Sequence, residues 1–269
     1  MMRHKILERI VAWGKEQAQV RALVLEGSLA KQQGIDELSD LDINVWYEGE
    51  IPFGQTISWL ADIGEVLIEN RLQMETPAGM INTQLVIFGN GVKVDFSFWP
   101  VSLLEKAFPY YEKLEILLDK DSQAGQIKQC ISEKNGARME KAKFDRIVNE
   151  FWFELHYVAK FLKRGEIWFV QGIQAGIREN YLLPLLEESA RLKGQKLSFS
   201  GRKIENWTDT TRLAAIFADY SLASNWQAMW EEIALFEEIS NFIALQYHFA
   251  LPQVKIERMK NLLHRIQEG

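Results

Sequence analysis

The chain has 269 residues, 47% of them hydrophobic and 25% charged, with a formal net charge of −6. Those proportions belong to an ordinary globular protein with apolar material for a sizeable core, and the length admits one large domain or two modest ones. The acidic balance argues against a nucleic-acid-binding module, which carries a clear Lys/Arg patch, and suits a cationic small molecule if carboxylates converge on a cleft.

Cys130 is the single cysteine, so no intrachain disulfide forms and no cysteine-rich metal site exists. A reducing cytoplasm fits that usage. Residues 1–9 are charged every few positions and lack the apolar region of a signal peptide. No apolar run approaches the roughly 20 residues that span a bilayer. A cytoplasmic protein, monomeric or homodimeric and without a membrane partner, is therefore expected.

Residues 3–20 read as a helix, with Ile6, Leu7, Ile10, Val11 and Trp13 near helical spacing. A short strand over 22–25 runs into Glu26-Gly27-Ser28. A polar stretch over 31–39 leads to a second strand at 40–46, where Asp40, Asp42 and Asn44 alternate with Leu41, Ile43 and Val45. Residues 48–52 form a turn, 55–64 read as a helix, and 66–74 and 81–88 as strands. Asn90-Gly91 is the strongest hairpin signal in the chain and joins 84–88 to another alternating strand at 92–98.

After Pro100 the pattern is helical. Phe151, Leu155, Val158 and Leu162 fall at i, i+4, i+7 and i+11, a core stripe. Residues 211–249 are similar, 191–202 read as an interhelical loop, and Trp152, Trp168, Trp207, Trp226 and Trp230 read as core anchors. The expected class is α+β, with a mixed-sheet domain over 1–135 and an all-helical domain over 136–269.

The chemistry-bearing stretch is Gly27-Ser28-Leu29-Ala30-Lys31 followed by Ser39-Asp40-Leu41-Asp42. Two carboxylates two residues apart on a strand share a face, about 7 Å apart. Carboxylates bind Mg²⁺, which also recruits phosphates, and paired ions about 4 Å apart clamp both oxygens of an in-line displacement. The Gly-Ser turn offers backbone N–H groups and a hydroxyl to phosphate. Asp95, on a later strand able to lie beside the first, adds a third metal ligand or a general base. An isolated Asp-x-Asp is usually a solvated strand or turn pair; the joint pattern is much rarer.

On the later helix, Asn149, Phe153, Tyr157, Lys160 and Arg164 form a second stripe. Tyr157 and Lys160 are read as a nucleotide-binding face, Lys160 as a point charge for phosphate; the alternative is a solvated face with snorkelling cations. Glu150 and Glu154, at i and i+4, repel mildly and suit a cationic acceptor, or are two exposed surface acids.

These residues carry a resemblance to a family. Glu26-Gly27-Ser28, Asp40-Leu41-Asp42-Ile43 and Phe88-Gly89-Asn90-Gly91-Val92-Lys93-Val94-Asp95-Phe96 resemble the nucleotidyltransferase fold of the DNA polymerase β superfamily. With Asn149-Glu150-Phe151-Trp152 and Tyr157-Val158-Ala159-Lys160 the chain looks like the streptomycin (aminoglycoside 6-) adenylyltransferases over most of its length. The resemblance implies an N-terminal nucleotidyltransferase domain, ATP, two Mg²⁺ ions, AMP transfer to an aminoglycoside hydroxyl and pyrophosphate release. It implies metal binding by Asp40, Asp42 and Asp95. It implies nucleotide contacts from Gly27, Ser28, Lys31, Tyr157 and Lys160, and acceptor contacts from Glu150 and Glu154, in an interdomain cleft. The family commonly reads Gly-Ser-Arg where this chain has Leu29, which leaves two other expectations standing: a different small-molecule or protein acceptor, or a nucleotide-binding relative without catalysis.

Overall fold

The computed structural model describes residues 2–31, 36–50, 56–106, 113–129, 138–195, 197 and 199–269. The chain divides into two compact units, Met1–Asn135 and Gly136–Gly269. Cys130 and residues 51–52 of the anticipated turn at 48–52 lie outside the described residues.

In the first unit, α1 (Met2–Glu16) buries Ile6, Ile10 and Trp13, the i, i+4, i+7 stripe of an amphipathic helix. It ends four residues before the anticipated boundary, because Val20 already opens β1 (Val20–Glu26). The short α2 (Gly27–Lys31) follows, then β2 (Leu41–Tyr47), β3 (Val66–Thr76), β4 (Gly79–Phe88), β5 (Lys93–Pro100), β6 (Glu115–Asp119) and α3 (Gly125–Gln129). The strands form one mixed sheet in the order β3-β4-β5-β2-β1-β6. The pair β2–β5 is parallel; the other neighbours are antiparallel.

Alternation within the strands sorts the two sheet faces. Leu23, Leu25, Leu41, Ile43, Val45, Val94, Phe96 and Phe98 point to one face and pack with Ile6, Ile10, Trp13, Trp59, Leu60 and Ile63. Trp59 stands edge-on to Phe96 at 4.9 Å and tilted on Trp13 at 4.6 Å. The opposite face is apolar at one end only, where Ala22, Val24, Trp46, Ile81 and Trp99 pack with Leu104, Ala124 and Ile127. At its other end that face is acidic.

Three expectations change here. The helix anticipated at 55–64 is a single 3₁₀ segment, Ser58–Asp62, long enough to bury Trp59 and Leu60 and no longer. The anticipated Gly27-Ser28 turn is the start of α2. The region after Pro100 is not purely helical: Glu115-Ile116-Leu117-Leu118-Asp119 pairs with β1 as an edge strand, Leu23 opposite Leu118. Five residues carry too little periodicity to announce a strand; pairing with β1 decides it. The hairpin at Asn90-Gly91 forms as expected. Gly91, at φ +80, donates to Phe88 O at 2.8 Å, and Asn90 Oδ1 accepts from Val92 N at 3.1 Å.

The second unit is all helical: α4 (Lys141–Lys163), α5 (Ile167–Ile177), a π-helical turn Arg178–Leu182, α6 (Leu183–Leu192), α7 (Thr210–Ala215), α8 (Leu222–Tyr247) and α9 (Gln253–Glu268). The stripe Phe151, Leu155, Val158 and Leu162 is fully buried, and Phe151 stacks on Phe236 of α8 with centroids 3.6 Å apart. Pro184, in the first turn of α6, lacks the N–H that would continue a regular ladder, and the chain widens to π spacing just before it. The anticipated helix over 211–249 is two helices, separated where Asp219 and Ser221 take local hydrogen bonds; the Ser221 hydroxyl caps α8 by accepting from Ser224 N. Trp152 and Trp226 are buried and Trp207 and Trp230 pack against the core, but Trp168, near the start of α5, is 80% exposed. Among the described residues no helix is long and apolar enough to cross a membrane.

Candidate active site

The acidic end of the sheet is set by strand register. Glu26 of β1 pairs with Asp42 of β2, and Asp42 pairs with Asp95 of β5. Register partners on adjacent strands lie side by side on one face, about 4.8 Å apart, so three carboxyl groups form a row across three strands. The parallel β2–β5 pair makes this possible: Leu41, Ile43 and Val45 match Val94, Phe96 and Phe98 on the buried face, leaving Asp42 and Asp95 together on the other.

Asp40 precedes β2 rather than lying in it. Its carboxylate nevertheless reaches the row through Lys93. Lys93 Nζ donates to Asp40 Oδ2 at 3.0 Å and to Asp95 Oδ2 at 2.7 Å. Asp95 Oδ1 is also 2.7 Å from that ammonium but is buried and takes no hydrogen bond. Burial alone would lower the Lys93 pKa; the hydrogen bonds to Asp95 and Asp40 outweigh it and the pKa is raised. Lys93 is therefore a firmly charged ammonium between two carboxylates.

Asp42 packs closely over Gly27. That glycine is buried at the start of α2 with φ +79, and a Cβ there would stand 2.0 Å from Asp42 Oδ2. Only glycine combines the left-handed backbone with room for the carboxylate. Ser28 follows, half-buried. Leu29, where the related pattern has arginine, packs with Ala30 against the apolar core under the sheet. The side chain of Lys31 lies outside the described residues.

Glu26 was given no role from the sequence, since a glutamate at a strand end is ordinary. It is 4% exposed. Burial pushes its carboxyl up to about 7, with a hydrogen bond to Asn44 pulling the other way and the Asp42 charge adding to the rise. A Glu26 that is partly protonated near neutral pH relieves like-charge repulsion in the row. Only the register to Asp42, invisible in one sequence, reveals this.

A divalent cation suits this donor set chemically, because Mg²⁺ prefers hard carboxylate oxygens with water and phosphate completing its sphere. Among the described residues, however, no three Asp, Glu, His or Cys side chains are drawn together as a ready metal cluster. Asp40 and Asp95 close on Lys93, and Asp42 lies beside Asp95.

In the helical unit, Tyr157 and Lys160 are half-buried on α4. Lys160 Nζ stands 5.3 Å from the Tyr157 ring centre and 5.0 Å from that of Phe161. Phe153, Tyr157, Phe161 and Phe169 form a ladder at 5.6, 6.3 and 4.7 Å, and Phe153 and Phe169 are exposed. Glu150 and Glu154 are half-buried and face Tyr181 of the π-helical turn. Burial raises the Tyr181 hydroxyl pKa first, then the charges of both acids. Tyr181 is a neighbour that sequence reasoning missed, since nothing in the sequence marks the π turn that aims it.

Comparison with known proteins identifies the family of the chain. The chain is 25% identical over 264 residues to an aminoglycoside 6-adenylyltransferase of Campylobacter jejuni, covering 92% of this chain and 90% of that one. It is 26% identical over 239 residues to the protein of the same name from Bacillus subtilis (strain 168), covering 84% of each. A crystal structure of an aminoglycoside 6-adenyltransferase from Bacillus subtilis aligns over 99% of this chain and 98% of its own, at 21% identity and a TM-score of 0.48. The family model described as Streptomycin adenylyltransferase matches residues 2–266. The chain thus belongs to the streptomycin adenylyltransferase family, a family of nucleotidyltransferase enzymes.

Proposed function

We propose that this protein transfers AMP from ATP to a hydroxyl of a cationic aminoglycoside such as streptomycin, with Mg²⁺ held by Asp40, Asp42 and Asp95. The observation that carries the reading is the register of Asp42 with Asp95 across parallel strands, beside the start of α2, where Gly27 leaves room for the Asp42 carboxylate. Membership of an adenylyltransferase family supports the nucleotide and the reaction type.

The acceptor oxygen bonds to the α-phosphorus as the bond to the β-phosphate oxygen breaks, pyrophosphate leaves with that electron pair, and the hydroxyl proton passes to a carboxylate or to water. Bound Mg²⁺ would supply charge neutralisation at the phosphates. Asp40 and Asp42 would hold the cation, and Asp95 would complete the set or take the proton. Gly27 and Ser28 orient phosphate oxygens through the backbone and the hydroxyl. Little covalent chemistry is required of the protein; positioning and electrostatics carry the rate.

On α4, Lys160 is a point charge for phosphate and Tyr157 a stacking surface, while Glu150 and Glu154 receive ammonium or guanidinium groups of the acceptor. An acceptor panel incubated with ATP labelled in the adenosine moiety tests the proposal. AMP covalently attached to an aminoglycoside supports it; label transferred only to a non-cationic acceptor, or to none, contradicts it.

A further inference from the structure

We propose that Lys93 is the built-in counter-ion of the acidic row and competes with the divalent cation for Asp40 and Asp95. The inference rests on the metal-dependent reading above and concerns how the cation enters.

The geometry is that of an ion already in place. Lys93 and Asp95 are two apart on β5 and so share a face. The ammonium lies 3.0 Å from Asp40 Oδ2 and 2.7 Å from both oxygens of Asp95. It joins a carboxylate before β2 to one within β5, two groups that strand pairing alone does not bring together. Without a cation between them, Asp40, Asp42, Asp95 and the buried Glu26 would face one another across adjacent strands. Like charges so close are destabilising, and a lysine ammonium, a compact charge on a four-carbon stem, is suited to fill the gap. The same stem lets the charge withdraw without moving the strand, and Lys93 keeps a third of its side chain exposed to solvent.

Cation binding is then an exchange. A divalent ion taking oxygens of Asp40 and Asp95 ejects the ammonium, which becomes free to meet a phosphate. The free enzyme binds metal weakly as a result, and the combined charge of metal and nucleotide favours the exchanged state. Lys93 acts as a positioning residue, setting when the carboxylates are available.

The test is Mn²⁺ titration of the full chain without nucleotide, followed by the electron paramagnetic resonance of free Mn²⁺. A cation must displace the ammonium from the carboxylate oxygens that it would bind, so removing that competing charge favours binding. Lys93→Met, which keeps the stem, is therefore expected to bind Mn²⁺ about tenfold more tightly than the native chain, equivalent to about 1.4 kcal/mol. Lys93→Arg, which keeps the charge, is expected to bind no more tightly than native. Equal or weaker binding by Lys93→Met overturns the inference while leaving the metal reading intact. Binding by neither protein overturns the metal reading and this inference with it. Should Lys93→Met fail to fold, acetylation of Lys93 in the native chain, mapped by mass spectrometry, decides the matter. Mg²⁺ is expected to speed it several-fold, and an unchanged or slower rate overturns the exchange.

Discussion

Asp42 Oδ2 occupies the space that a side chain on Gly27 would need: a Cβ there would lie 2.0 Å away, on a backbone with φ +79. Gly27→Ala must therefore both strain α2 and displace the carboxylate. The left-handed conformation alone costs a non-glycine residue about 1–2 kcal/mol. A shift of about 1 Å in a catalytic group lowers a rate about 100-fold. Thermal unfolding is expected to show a modest drop in midpoint and pyrophosphate release a much larger loss. A variant with native activity would show that Asp42 need not sit against α2.

A second expectation concerns acceptor recognition. Glu150 and Glu154 lie together on α4 and both raise the pKa of the Tyr181 hydroxyl. Glu150→Gln and Glu154→Gln should each raise KM for a cationic aminoglycoside about fivefold, leaving KM for ATP unchanged. Removing binding shared by ground and transition states raises KM without lowering kcat. Lys160→Ala should do the reverse, raising KM for ATP alone. Steady-state kinetics with each substrate varied separates the two, and a raised ATP KM in the glutamate variants would reassign them.

The helical unit carries a pH-sensitive carboxyl of its own. Glu232 of α8 is fully buried, and its Oε1 accepts from Arg178 Nη1 at 2.8 Å. Burial pushes its carboxyl up from 4.5 to about 8, against the opposing pull of Arg178. The folded state therefore holds a proton that the unfolded chain releases above pH 4.5. The stabilisation is complete below that pH and is lost as pH rises through about 8. Urea unfolding at pH 5, 6, 7 and 8 is expected to show declining stability, with this one group contributing at most about 1.4 kcal/mol per pH unit. Glu232→Gln, whose amide oxygen can still accept from Arg178 as the protonated Glu232 does, should be close to native stability at pH 5 and flatter with pH. An unchanged slope would show that Glu232 is ionised throughout.

Phe151 and Phe236 are the central pair of that unit's core, both almost wholly buried and stacked with an interplanar angle of 3°. Phe151→Ala is expected to destabilise the helical unit by about 3–5 kcal/mol. Hydrogen exchange read separately on α4 and α8 checks it, with faster exchange in both helices. Faster exchange confined to α4 would mean that the stack does not join them.

Much of this was legible in the sequence, for identifiable reasons. The alternation in β2 and β5 marks both strands and separates Asp42 and Asp95 from the buried Ile43 and Phe96. Asn90-Gly91 marks the hairpin, and the stripe through Phe151 and Leu162 marks α4. What was hidden depends on pairing between distant segments. The edge strand β6 exists because β1 offers it a partner, and Glu26 matters because register puts it beside Asp42. Lys93 stood in the quoted motif without a role, since nothing local shows that Asp40 also reaches it. Trp168 failed as a core anchor because composition says only that tryptophan is usually buried, while the start of α5 turns it to solvent.

The central claim is that Asp40, Asp42 and Asp95 together hold the cation that makes AMP transfer possible. Pyrophosphate release from ATP, Mg²⁺ and streptomycin, compared between the native chain and Asp95→Asn, tests it most directly. Loss of a charge-stabilising group of this kind lowers a rate by about 10²–10³, so the variant is expected to fall by at least that much while keeping native thermal stability to within a few degrees. A folded Asp95→Asn protein releasing pyrophosphate at the native rate would contradict the account.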